Sequence, residues 1–147
     1  MNIAELLRPE NVLVDLDVSN KQQLLQLLSQ RAAQATGLSE VVVFGVLSHR
    51  ETLGSTGIGQ GIAIPHSAPS GLDAPFALLA RTARPVEFDA VDDQPVDLVF
   101  LLLSPADRAS HLKALSVVSR QLRAPGVTET LRRARTAAEM YAAMTGQ

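Results

Sequence analysis

The sequence has no cysteine and no tryptophan. Without cysteine there is no disulfide, no thiol nucleophile and no cysteine-ligated zinc, and the chain suits a reducing cytosol. Aromatic residues make up 3% of the 147, four phenylalanines and one tyrosine, so stacking on bases and aromatic-cage recognition are poorly supplied. Positive charge is not in excess either. Thirteen Lys and Arg stand against fifteen Asp and Glu, a net charge of −2, which argues against a nucleic-acid binder. The longest apolar run, Leu98–Leu103, has six residues, where a membrane helix needs about 20. Near the N-terminus Glu5 stands where a signal peptide would be basic. These absences predict a soluble, cytoplasmic protein without membrane insertion, and its length suits one domain, residues 1–147, with a real core. At 46% apolar residues, that core must be built from Leu, Val, Ile and Ala.

The order of helix and strand signals predicts an α/β fold, a three-layer sandwich with a central mixed β-sheet flanked by helices. A short helix over 2–7 precedes a strand at Val12–Leu16. Ser19 reads as the cap of a helix carrying Leu24, Leu27, Leu28 and Ala32, with Gly37 as its stop. Ser39 opens a second helix with Val42, Val43, Val46 and Leu47 as the buried stripe, placing His49 and Arg50 at its C-terminal end. Ile62–Ile64 is extended, because Ile64 precedes a proline. Strands are expected at Phe76–Thr82, at Val86–Phe88 and, fully buried, at Val96–Leu103. Asp92-Asp93-Gln94 is a turn, with Asp89 part of the same solvated acidic run. Ser104-Pro105 reads as cap and first position of a helix to about Arg123, with His111, Leu115, Val118 and Leu122 on one face. Thr128 and Thr136 cap two short helices after Pro125-Gly126. The count of strands is four or five.

Four of the nine glycines fall at 54, 57, 59 and 61, ahead of Ile62-Ala63-Ile64-Pro65-His66. Such density permits tight turns or close approach of the backbone to another surface. A phosphate-binding P-loop requires lysine where Gln60 stands, and a dinucleotide fingerprint requires glycine where Ile62 or Ile64 stands. Pro65 also keeps a helix from starting directly behind the glycines. The three histidines, His49, His66 and His111, show no metal-ligand spacing, so no metal and no cofactor is expected.

What remains is a histidine nucleophile. Imidazole is neutral and available near its ordinary pKa of ~6.5, and phosphoryl transfer asks of a protein mainly positioning and neutralised charge. Arg50 offers a planar fork of donors for phosphate oxygens, and His111 is a candidate second imidazole. A plainer reading stands beside this one. His66 then ends a strand in a surface loop, His111 is a core histidine satisfied by hydrogen bonds, and Arg50 complements a helix dipole. The glycines are in that case a wide turn.

The segment Arg50-Glu51-Thr52-Leu53-Gly54-Ser55-Thr56-Gly57-Ile58-Gly59-Gln60-Gly61-Ile62-Ala63-Ile64-Pro65-His66 resembles the active-site segment of fructose/mannitol-type enzyme IIA proteins. These belong to the phosphoenolpyruvate-dependent phosphotransferase system (PTS). Phe88–Phe100 and Ser104-Pro105-Ala106-Asp107, with His111-Leu112 following, resemble its nitrogen-regulatory branch. The resemblance covers nearly the whole chain. It implies a single EIIA type-2 domain and a phosphohistidine at Nε2 of His66, charged by a small HPr-like (NPr-type) carrier. Arg50 matches the family's active-site arginine and His111 its second active-site histidine. Gly57, Gly59 and Gly61 then read as a small-surfaced approach to His66 for the incoming carrier. Ser67 stands where that branch commonly has glycine, and His49 where other residues are usual before the arginine.

The function implied is a regulatory phosphocarrier, because the chain ends at Gln147 without a second domain. Nitrogen or potassium physiology follows from the branch, with potassium-transport or sensor-kinase components as regulated targets. Two alternatives stand: a sugar-specific EIIA passing phosphate to a separate IIB domain, and an interaction protein that has lost phosphotransfer.

Overall fold

The computed structural model describes residues 1–146. Its elements, in chain order, begin with α1 (Ile3–Leu6), a 3-10 turn at Pro9–Asn11, β1 (Val12–Leu16), α2 (Lys21–Thr36) and α3 (Glu40–Thr52). Three short strands follow, β2 (Gly57–Gly59), β3 (Ile62–Ala63) and β4 (His66–Ser67), then the long strands β5 (Phe76–Val86) and β6 (Val96–Leu103). The chain closes with α4 (Arg108–Arg123), α5 (Val127–Arg133) and α6 (Ala137–Thr145). The sheet runs β1-β5-β6-β3-β2, with β4 also on β6, so the described residues form six strands rather than four or five. It is mixed. β1 and β5 are parallel, β5 and β6 antiparallel, β3 and β4 parallel to β6, and β2 and β3 antiparallel.

The apolar run that reads as a buried strand lies at the centre of this sheet, and alternation splits it between two cores. Val99, Leu101 and Leu103 face one layer with Leu24, Leu28, Val43 and Leu47 of α2 and α3. Leu98, Phe100 and Leu102 face the other with residues of α1, α4, α5 and α6. All six of these strand residues are fully buried, each such side chain contributing about 1.5–3 kcal/mol. A sheet anchored this deeply on both faces makes its strand ends a stiff base for the side chains projecting from them.

Five details depart from the sequence reading. The cap of α2 is Asn20, whose side chain accepts from Gln23 N–H, while the Gln23 side chain reaches back to the Ser19 amide. β5 runs unbroken from Phe76 to Val86 where two strands were expected, and it absorbs Pro85 at a register irregularity between Arg81 and Val86. On α3 only Val43 and Leu47 are buried, and Val42 is 48% exposed. α4 starts at Arg108, because the Asp107 carboxylate caps it through Ala109 N–H and the Ser110 hydroxyl, leaving Ser104 for another task. Similarly, α5 is opened by Gly126 in the left-handed region, not by Thr128. Gly37, Ser39 and Thr136 stand where the sequence places them as stop and caps.

Candidate active site

His66 sits on β4, and parallel pairing to β6 fixes it there. Leu102 N–H donates to the Pro65 carbonyl and Ser104 N–H to the Ser67 carbonyl. Its side chain is set by a second bond. Nδ1 lies 2.7 Å from the Ile64 carbonyl oxygen. A carbonyl only accepts, so Nδ1 carries the proton and Nε2 keeps its lone pair. Arg50, in the last turn of α3, donates from Nε toward that Nε2 at 3.4 Å, and from Nη1 to the Gly54 carbonyl at 2.8 Å. The His111 ring, from the first turn of α4, stands 5.5 Å from the His66 ring between centroids, tilted by 39°.

Strand end, helix end and helix start therefore bring Arg50, His66 and His111 together. They line one cavity of about 470 Å³, with Gly45, Val46, His49, Leu53, Ser67 and Ala68 as its remaining walls. Arg50 and both imidazoles are partly buried, so each keeps a face toward the cavity. His49 and Ser67, the two departures from the resembling sequences, are both on this wall.

Burial dominates the titration. It lowers the pKa of His66 below 6.5; the Arg50 charge acts the same way, while the Ile64 hydrogen bond and Glu51 oppose it. His111 is lowered too, by burial and then by the His66 charge. Both rings are therefore neutral at pH 7, the form a nucleophile requires. For a group whose folded pKa is depressed, the unfolded chain binds the proton first, so stability falls as pH drops past 6.5. Denaturant midpoints are expected to decline between about pH 7 and about pH 5, and less steeply in His66→Gln. An equal decline in both proteins would assign the acid loss to other groups.

The glycines do something different from what the sequence suggests. None of Gly57, Gly59 and Gly61, expected as an approach to His66, lines the cavity at that histidine. They build a hairpin packed against the segment before β6. A Cβ at Gly57 would lie 2.8 Å from the Ala90 Cβ, one at Gly59 3.3 Å from an Asp92 oxygen, and one at Gly61 2.5 Å from Arg132 Nη2. Gln60 and Gly61, at φ 58° and 79°, form the two-residue turn between β2 and β3, where type I′ geometry needs positive φ at both positions. Asp92 is more than a solvated turn residue. Its carboxylate accepts from the Gln60 and Gln94 amides, which hold its pKa below the usual range. Gly54, at φ 137° with no atom near a would-be Cβ, does serve the site, because its carbonyl receives Arg50.

Sequence reasoning missed one supporting group altogether. The Glu51 carboxylate, 7% exposed, accepts from Thr56 N–H at 3.0 Å and from the Thr56 hydroxyl, and pairs with Lys21 Nζ at 3.0 Å. It ties the loop after α3 to the helix end that carries Arg50. Lys21 lies 30 positions away, and no local pattern links the two. Among the described residues no group of three His, Asp or Glu side chains is arranged to hold a metal ion, and no helix is long and apolar enough to cross a membrane.

Comparison with known proteins points the same way as this geometry. Residues 5–146 match the model of the family described as phosphoenolpyruvate-dependent sugar phosphotransferase system, EIIA 2. A nitrogen regulatory protein of Bradyrhizobium diazoefficiens is 46% identical over 145 residues, covering 98% of this chain and 95% of that protein. The crystal structure of nitrogen regulatory protein IIA-Ntr from Neisseria meningitidis superposes with a TM-score of 0.91 at 36% identity, over 97% of this chain and 99% of that one. The mannitol enzyme IIA of Escherichia coli, solved in complex with phosphorylated enzyme IIB, shares the fold at a TM-score of 0.80. Its identity is 17%, with 96% of this chain and 98% of that one covered.

Proposed function

Because this chain belongs to the EIIA type 2 family of the phosphoenolpyruvate-dependent sugar phosphotransferase system, we propose that His66 is its phosphoryl acceptor and that the phosphorylated protein acts as a regulator. The observation that carries the assignment is the lock on the His66 ring. With Nδ1–H given to the Ile64 carbonyl, the lone pair on Nε2 faces Arg50 at the cavity that His111 shares.

The step balances without metal or nucleotide. The lone pair on Nε2 attacks the phosphorus of a phosphohistidine borne by a small HPr-like carrier. The N–P bond of the carrier breaks, and because the carrier's ring is protonated on its other nitrogen, its imidazole leaves neutral with the bonding pair. His66 emerges as an Nε2-phosphohistidine whose ring is briefly cationic, and the Ile64 carbonyl stabilises the Nδ1–H that carries this charge. Arg50 takes the charge that gathers on the phosphoryl oxygens, and His111 lies on the same cavity as a further donor.

Regulation is favoured over sugar transport by the relatives. Those matching over nearly the full chain at 46% and 36% identity are nitrogen regulatory proteins. In this reading the phosphoryl group, adding about two negative charges, switches a docking face around the cavity. The HPr-like protein is the donor, potassium-transport or sensor-kinase components are the targets, and the protein works in the cytoplasm.

The test is reconstitution with phosphoenolpyruvate, enzyme I and the HPr-like carrier. One acid-labile, base-stable phosphate per chain is expected. A wild-type protein that takes no label from a competent carrier would refute the proposal. Purified IIB domains, added next, are expected to leave the label in place. Rapid loss to a IIB would assign the protein to sugar transport.

A further inference from the structure

Ser104 reads from the sequence as a helix cap, and the structure gives it other work. It is 1% exposed, directly after β6, with its amide bonded to the Ser67 carbonyl. Its hydroxyl lies 2.7 Å from His111 Nδ1. No other partner meets that hydroxyl among the described residues. If Nδ1–H donated to it, its own proton would be buried with nothing to bond, an arrangement folded proteins avoid. The hydroxyl therefore donates and Nδ1 accepts. A neutral imidazole accepting at Nδ1 holds its proton at Nε2. The first turn of α4 favours the neutral ring, since a helix N-terminus repels a cation.

We propose that Ser104 is a positioning residue that fixes His111 as its Nε2–H tautomer, so that His111 donates a hydrogen bond to the phosphoryl group on His66. The two rings at this cavity then hold opposite tautomers, each set by one buried backbone or side-chain partner. His66 is protonated at Nδ1 and nucleophilic at Nε2; His111 accepts at Nδ1 and donates at Nε2. Were both rings to present lone pairs, His111 would repel the phosphoryl oxygens. Without Ser104 the His111 proton would move between its two nitrogens, and only one of those forms can donate to the phosphoryl group. The role in transfer rests on the proposed function; the tautomer does not.

The test separates the two. Long-range proton–nitrogen correlation on uniformly labelled wild-type protein, at a pH where both rings are neutral, is expected to show His111 protonated at Nε2 and His66 at Nδ1. A His111 proton on Nδ1 overturns the proposal without reference to any phosphate, and needs no variant to fold. Ser104→Ala should give His111 a mixed tautomer signature and slow transfer from the carrier by roughly three- to tenfold through kcat, with KM for the carrier unchanged. Ser104→Thr should restore both. Transfer at the wild-type rate in a Ser104→Ala protein with a mixed tautomer would overturn the role. If the wild type takes no phosphate at all, the functional reading fails while the tautomer assignment stands.

Discussion

A His66→Ala protein is expected to take up no phosphate from the charged carrier and to keep its fold. The loss should be complete, because among the described residues His66 alone presents an imidazole lone pair toward Arg50. In the wild type His111 Nε2 carries a proton and has no arginine partner, so it is a poor substitute. Residual labelling of the variant, stable in base, would move the acceptor to His111. The fold survives because β4 is held to β6 by backbone bonds, Leu102 to the Pro65 carbonyl and Ser104 to the Ser67 carbonyl, which alanine keeps. The Ile64 carbonyl loses its side-chain donor, at a cost of about 1 kcal/mol, or ~2–4 °C in a chain of this size. A melting point lower by much more than that would make the imidazole a structural group first.

The same position shows how far the sequence was readable. His66 stands out in the sequence as the histidine that closes the glycine stretch behind an apolar run and a proline, and the resemblance decides between a nucleophile and a plain strand end. Arg50 and His111 are candidates on the chemistry of their side chains, and the resemblance, not spacing, implies that they share the site. Strands and helices 16 and 45 positions apart meet only through the sheet order β6-β3 and the parallel pairing of β4 to β6. β6 was legible to the residue, since a run buried on both faces needs no periodicity.

The failures have a common cause. Gly57, Gly59 and Gly61 are near His66 in sequence, but that proximity does not place them on its cavity. Their neighbours are Ala90, Asp92 and Arg132, all distant in sequence. The roles of Ser104, Asp92 and Glu51 are not legible in the sequence for the same reason. Each carries a common local role, as cap, turn or helix-end charge, and its actual partner lies on another element. For Ser104 a signal did exist, a second cap candidate in Asp107 that makes the serine redundant at the helix start.

Arg50→Ala should slow phosphoryl transfer by about 10²-fold to 10³-fold, the loss seen when one fixed donor to a developing oxyanion is removed. Melting should change little. The Arg50 side chain reaches Gly54 and His66, and the Gly54 carbonyl sits in an exposed loop where water replaces the donor. KM for the carrier should hold, because the charge is needed when the N–P bond is breaking rather than when the carrier docks. Arg50→Lys should recover only part of the rate. An ammonium is one point charge, and it cannot bond Gly54 and face Nε2 together as Nη1 and Nε do. A second reading checks the placement without any phosphate. The Arg50 charge is one of the causes holding the His66 pKa down, after burial, so Arg50→Ala should move that pKa upward in an imidazole titration by NMR. Normal transfer together with an unmoved His66 titration would remove Arg50 from the site. Slow transfer with an unmoved titration would leave the guanidinium acting on the phosphoryl group alone.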